Sequence, residues 1–77
     1  MKILLFKQAK KYLASCDAKT QDRIKNAIAN LPDGDIKKLV NHPVAYRLRV
    51  GSYRILFNIS DDVIMVRDIA PRGEAYK

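Results

Sequence analysis

The hydrophobic period of the chain changes from segment to segment, and each change marks an element. Residues Lys2 to Leu5 are nearly all apolar, which predicts a short strand lying inside a sheet rather than at its rim. From Phe6 the period lengthens: Phe6, Ala9, Leu13 and Cys16 recur at helical spacing while Lys7, Lys10 and Lys11 fall outside that stripe. A first helix therefore ends near Ser15 or Cys16. Asp17 is placed as N-cap of a second helix, because its side-chain oxygen can accept from a free N–H of the opening turn. Ile24, Ala27, Ile28 and Leu31 then follow the i, i+3, i+4, i+7 template until Pro32 and Gly34 stop it. Two helices joined by so tight a turn form an antiparallel helical hairpin.

The second half of the chain has the period of a strand. After a connecting loop over Gly34 to Pro43, whose Ile36 and Leu39 are expected to tuck beneath the sheet, alternation begins. Val44, Tyr46, Leu48 and Val50 fall on one face, with Arg47 and Arg49 on the other, since successive side chains of a strand point to opposite sides. Gly51-Ser52 predicts a two-residue hairpin, with Gly supplying the positive φ that a type II′ turn needs first. Beyond it, Tyr53, Ile55, Phe57 and Ile59 share one register and Arg54, Leu56 and Asn58 the other. Ser60-Asp61-Asp62 turns the chain into a last strand from Val63 to Ala70, completing a three-stranded meander. The order β-α-α-β-β-β predicts one α+β domain over residues 1–77, an antiparallel sheet with an N-terminal helical hairpin packed on one face.

Charge narrows the choice of partner. Fifteen Lys and Arg against eight Asp and Glu give a formal net charge of +7 in 77 residues, so the field of the domain attracts polyanions. Nucleic acid heads the partner classes, followed by an acidic protein segment. No apolar run approaches the ~20 residues needed to cross a bilayer, and the apolar start is too short for a signal peptide, so the expected location is the cytoplasm. Cys16 and His42 are the only residues of their kinds, which leaves no disulfide, no histidine pair for acid/base work and no zinc-type spacing. Neither a metal nor a cofactor is expected. Cys16 reads as a small hydrophobe at a helix end and His42 as a surface loop residue.

Candidate chemistry lies on the hairpin. Arg47, Arg49 and Arg54 share the polar parity of its two strands. Such arginines can be the solvated side of a sheet covered on one face only. They can also form a polyanion-binding face, because like charges crowded across strands are relieved by an anion, and the flanking strand residues offer few carboxylates. Tyr46 and Tyr53 share the apolar parity and read as core-edge rings, with Tyr12 at the rim of the helix stripe. Lys7, Lys10 and Lys11 read as a solvated helix face, with phosphate contact as the alternative.

Taken together, the paired helices, the Gly-Asp-Ile-Lys-Lys-Leu segment, the run Tyr46-Arg47-Leu48-Arg49-Val50-Gly51-Ser52-Tyr53-Arg54-Ile55-Leu56-Phe57 and the ending Pro71-Arg72-Gly73-Glu74-Ala75-Tyr76 resemble the RelE/ParE superfamily of bacterial toxins, in particular RelE-like mRNA interferases. The resemblance spans essentially the whole chain. It implies a microbial ribonuclease-like fold in the toxin of a type II toxin–antitoxin system, which enters the ribosomal A site, lies against ribosomal RNA, cleaves the bound mRNA and so inhibits translation. It also implies a cognate antitoxin that covers the basic face in a toxin–antitoxin hetero-oligomer. By the same resemblance Arg54, Arg72 and Tyr76 are catalytic, and Arg47 and Arg49 bind RNA. One departure is Pro71, which stands where many relatives carry His, so no imidazole is available there.

On that reading the active site has neither an imidazole nor a carboxylate. Tyr76 would act as general base or as a stacking platform for a base, a phenol with a pKa near 10 needing surrounding cations to favour its phenolate. Arg54 and Arg72 would clamp the phosphate with paired guanidinium donors. Two alternatives share the fold: a ParE-like inhibitor of DNA gyrase, and an inactive basic binding module. The arginine-plus-tyrosine ending counts against the gyrase inhibitor.

Overall fold

The computed structural model describes residues 2–71. Its elements are β1 (Lys2–Leu5), α1 (Lys7–Ser15), α2 (Ala18–Ala29), β2 (Asp35–Lys38), β3 (Tyr46–Val50), β4 (Tyr53–Ser60) and β5 (Val63–Pro71). The strands form one mixed sheet in the order β1-β5-β4-β3-β2. β2 to β5 pair antiparallel in succession, while β1 pairs parallel with β5. Both helices pack on one face, as the hydrophobic pattern predicts. Ala9 and Leu13 of α1 and Ile24 and Ile28 of α2 close over Leu48, Val50, Ile55, Phe57, Ile64, Val66 and Ile69 in a single buried cluster. No helix among the described residues is long and apolar enough to cross a membrane.

Local chemistry sets the element boundaries. Asp17 caps α2 by accepting from the Thr20 N–H at 3.0 Å, and Gln21 Nε2 donates to the Cys16 carbonyl at 3.0 Å, so the inter-helix turn is pinned from the α2 side. The Cys16 thiol donates to the Tyr12 carbonyl and stays unpaired with any other cysteine. At the hairpin tip Gly51 has φ +56°, the conformation a type II′ turn requires. Tyr46 stacks on Phe57 with centroids 5.4 Å apart, and Tyr12 meets Tyr53 edge-on at 6.4 Å, so these rings belong to the core edge.

β5 needs an irregularity to serve this core. Ile64 and Val66 face the helices and so does Ile69, although an even strand would send Ile69 to the other side. The register passes from Leu56↔Asp68 to Phe57↔Val66, leaving Arg67 as the extra residue of a bulge that resets the parity. Its guanidinium lies 4.6 Å from the centroid of the Phe6 ring. Where β1 ends, the Gln8 amide takes over its role at the edge of β5: Nε2 donates to the Ile69 carbonyl at 3.2 Å and Oε1 accepts from the Ile69 N–H at 3.0 Å. One side chain thus replaces a peptide unit and ties α1 to the sheet.

Several expectations need correction. The loop expected over 34–43 contains a strand, β2, because Ile36 pairs with Leu48 and joins the core; four residues are too few to show a period, and their pairing with β3 makes the strand. β1 lies at the rim and not inside: only β5 flanks it, and Ile3 and Leu4 are exposed. The sheet is accordingly mixed, with one parallel pair beside its antiparallel meander. Val44 is buried but stands outside the helix-side cluster that its parity predicts, and His42 is half-buried with Nδ1 accepting from the Val44 N–H.

Candidate functional site

The helix-free face of the sheet carries two adjacent rows of side chains. One row runs Asp35, Arg49, Arg54, Ala70 across β2, β3, β4 and β5, and the next runs Lys37, Arg47, Leu56, Asp68. Directly opposed residues of antiparallel strands share a face, so Arg47, Arg49 and Arg54 lie together on one surface, as the alternation predicts. Two of the oppositions bring like charges together, Arg49 with Arg54 and Lys37 with Arg47. Across both rows four cations meet two carboxylates, and the surplus positive charge is centred on the β3–β4 hairpin.

The three arginines differ in setting. Arg49 is the most open, and its Nε lies 3.7 Å from Asp35 Oδ2 with the two side chains 41% and 59% exposed, a loose pair of small energetic value. Arg54 is half-buried between Arg49 and Ala70. Arg47 is only 5% exposed, the one buried charged residue of the described chain, and its Nε meets no hydrogen-bond partner among the described residues. Burying that Nε–H without a partner costs stability, because the donor has given up its water for no hydrogen bond in return. Beside it Leu56 is 1% exposed on the same face, which lowers the local dielectric and strengthens any charge interaction that Arg47 makes.

Neighbouring groups fix the frame of this surface. Asn58 Oδ1 accepts from the Ala45 N–H at 2.7 Å and aligns the chain as it enters β3. At the hairpin tip Arg23 of α2 lays its guanidinium against Gly51, with Nη2 2.8 Å from the point where a Cβ would stand. A cavity of about 380 Å³ opens between the end of α2 and the β2–β3 pair, and its lining includes Asp33, Asp35 and Arg49. Mixed charge makes it a poor seat for a polyanion, which is better served by the arginine rows.

The fold that bears this face has known counterparts. No profile of a known protein family matches the chain. The chain is 32% identical to Toxin RelE3 of Methanocaldococcus jannaschii over 84 aligned positions, covering 99% of this chain and 96% of that protein. The chain belongs to the RelE toxin family. Solved structures agree: the RelB-RelE antitoxin-toxin complex from Methanococcus jannaschii superposes with a TM-score of 0.75 at 32% identity, covering 95% of this chain and 94% of that one. The archaeal RelE-RelB complex from Pyrococcus horikoshii gives a TM-score of 0.74 at 26% identity, with 95% and 96% covered. The α+β fold is that of RelE.

Of the residues that the RelE resemblance singles out, Arg47, Arg49 and Arg54 are brought together, whereas Arg72 and Tyr76 lie outside the described residues. Sequence reasoning misses Asp35, the carboxylate set against Arg49, because a four-residue segment carries no strand period of its own. It also misses Arg23, which reaches the hairpin from a helix. Leu56 stands between Arg54 and Asn58 in the polar register of β4, and an apolar residue at that parity is a usable signal of local burial.

Proposed function

We propose that the protein is a ribosome-dependent endoribonuclease, the toxin of a type II toxin–antitoxin pair, which cleaves mRNA in the A site and halts translation in the cytoplasm. The observation that carries this reading is the direct opposition of Arg49 and Arg54 beside the buried Arg47, on a RelE fold. Like charges held face to face, with a nearly dehydrated third beside them, favour a polyanion over solvent.

In the proposed reaction the substrate 2′-hydroxyl loses its proton, its oxygen attacks the adjacent phosphorus in line, and the P–O5′ bond breaks as the 5′-oxygen takes up a proton. Arg54, with Arg72, stabilises the charge gathering on the phosphoryl oxygens, because a planar guanidinium offers two parallel donors there. Arg47 and Arg49 hold the RNA strand. Tyr76 serves as the base that takes the 2′-hydroxyl proton, or as stacking platform, in which case solvent or the ribosome takes that proton. An arginine hardly ever gives up its proton, so the acid is supplied by solvent or by the ribosome. With such weak acid/base groups, rate comes from alignment of the 2′-hydroxyl by the ribosome.

The structural relatives are RelB-RelE complexes, and by analogy an antitoxin is proposed to bind this chain and mask its basic face. Inducible expression followed by mapping of mRNA 5′ ends tests the reading. Cuts in frame within translated messages, lost with Tyr76→Phe and Arg72→Ala, are expected. Growth arrest with intact messages and accumulating double-strand DNA breaks would instead point to gyrase. No effect on growth or RNA would leave only a basic binding module.

A further inference from the structure

The opposite side of the molecule carries a second concentration of charge that the arginine rows do not explain. Helix α1 (KQAKKYLAS) holds Lys7, Lys10 and Lys11 and no acidic residue, and all three lysines are exposed. They line one shallow depression of about 520 Å³. Lys10 also lines a smaller one, about 220 Å³, together with Lys25 of α2, so the patch continues across the helix pair.

This arrangement works against the helix that bears it. Lys7 and Lys10 stand in the opening turn, at the positive pole of the helix, where an acidic residue would be favourable and none is present. Lys7 lies three and four residues from Lys10 and Lys11, spacings at which like charges repel. The N-cap, Phe6, makes no side-chain hydrogen bond to offset this. A surface that departs from favourable local choices without a compensating contact is where function is to be sought.

We propose that the outer face of α1, through Lys7, Lys10 and Lys11 with Lys25 beside them, is a second RNA-binding surface that grips the sugar–phosphate backbone. An RNA backbone fits better than a protein partner. Lysine is depleted in the cores of protein interfaces, whereas exposed lysines are the ordinary means of holding phosphates, and the larger depression is lined by Lys7, Lys10 and Lys11. Because the helices cover the face opposite the arginines, the two cationic surfaces look outward on opposite sides of a body whose shortest extent is 23 Å. They therefore engage two segments of a folded RNA at once, and the α1 contact is independent of whether the arginine face cleaves.

The test uses the full chain and a 2′-O-methylated RNA stem-loop with a single-stranded flank, which cannot be cut through its 2′-oxygens, so a failure of the nuclease reading does not affect the outcome. Affinity is measured against salt for the wild type, for Lys7→Gln/Lys10→Gln/Lys11→Gln, and for the corresponding Lys→Arg triple. The Gln triple is expected to bind at least about tenfold more weakly and to lower the slope of log affinity on log salt by about 2, while the Arg triple binds like the wild type. The melting temperature of the Gln triple should equal or exceed that of the wild type, since repulsion has been removed. Amide shifts on titrating the same RNA into Arg47→Ala/Arg49→Ala protein should map to residues 7–11. Unchanged affinity and slope in a folded Gln triple, or RNA-induced shifts that avoid α1, would overturn the proposal.

Discussion

Arg49 of β3 and Arg54 of β4 are direct cross-strand partners, so two guanidinium groups are held on one face by the ladder itself. A two-residue turn makes this opposition unavoidable, because it sets the register of the hairpin and hence which side chains meet. Asp35, opposite Arg49 on the other flank, offsets part of the repulsion. Asp35→Asn is expected to lower thermal stability by a few tenths of a kcal/mol at low salt, with the deficit vanishing at high salt. A deficit that persists at high salt would show that Asp35 acts through packing instead.

Arg54→Ala is expected to reduce RNA cleavage on the ribosome by about 10²- to 10³-fold, the usual effect of deleting a donor aimed at developing charge. Arg54→Lys should recover only part of this, since an ammonium keeps the charge but not the paired donors. Single-turnover cleavage on programmed ribosomes measures both, and equal rates for wild type and Arg54→Ala would remove Arg54 from the mechanism.

Arg47 predicts a trade between stability and function. Arg47→Met keeps most of the stem and eliminates a buried donor without a partner, so the unfolding free energy should rise by about 1 kcal/mol. RNA affinity should fall in the same variant. Urea denaturation and RNA binding measured side by side decide the matter; a loss of stability would mean that the guanidinium is well satisfied in the folded protein.

Gln8 joins α1 to β5 through both ends of its amide. Gln8→Ala is expected to cost about 1–2 kcal/mol, because the Ile69 N–H and carbonyl both lose their partner. Gln8→Glu keeps the acceptor and loses the donor, and should fall between the two. Urea midpoints give the order, and an Ala variant as stable as the wild type would mean that water replaces the amide without loss.

Asp17 contributes to the pH dependence of folding. Hydrogen bonding with Thr20, through its side chain and then its backbone N–H, lowers the carboxyl below its ordinary 3.8. The unfolded chain then binds this proton more tightly than the folded one, so the contribution is fully present above the ordinary value and is lost as pH falls through the lowered one. Asp17→Asn keeps a capping oxygen but no titration, and its urea midpoint should decline less between about pH 6 and about pH 2.5 than that of the wild type. Parallel declines would assign the acid sensitivity to other groups.

Much of the architecture was legible because apolar stripes and turn residues act locally. The helices, the cap at Asp17, the Gly51-Ser52 hairpin and the shared face of Arg47, Arg49 and Arg54 follow from side-chain periodicity and from φ alone. β2 was hidden because four residues carry no period and pair only once β3 is in place. The rim position of β1 was hidden because an apolar segment of that length reads the same in the middle of a sheet and at its edge. The jump from Val66 to Ile69 did hold a sign of the bulge, since residues three apart cannot share one face of an even strand.

Sequence by itself determined which residues alternate and therefore that three arginines would share a sheet face, because strand parity is a property of the backbone and holds whatever the strand packs against. It likewise determined the cationic character of the chain and the lysine-bearing side of α1. Only the tertiary structure decided that Arg47 is buried while Arg49 is open, that Asp35 arrives opposite Arg49, and that the lysines and the arginines look out on opposite sides. Burial and charge pairing depend on elements far apart in the chain, and a side chain's surroundings exist only after those elements have docked.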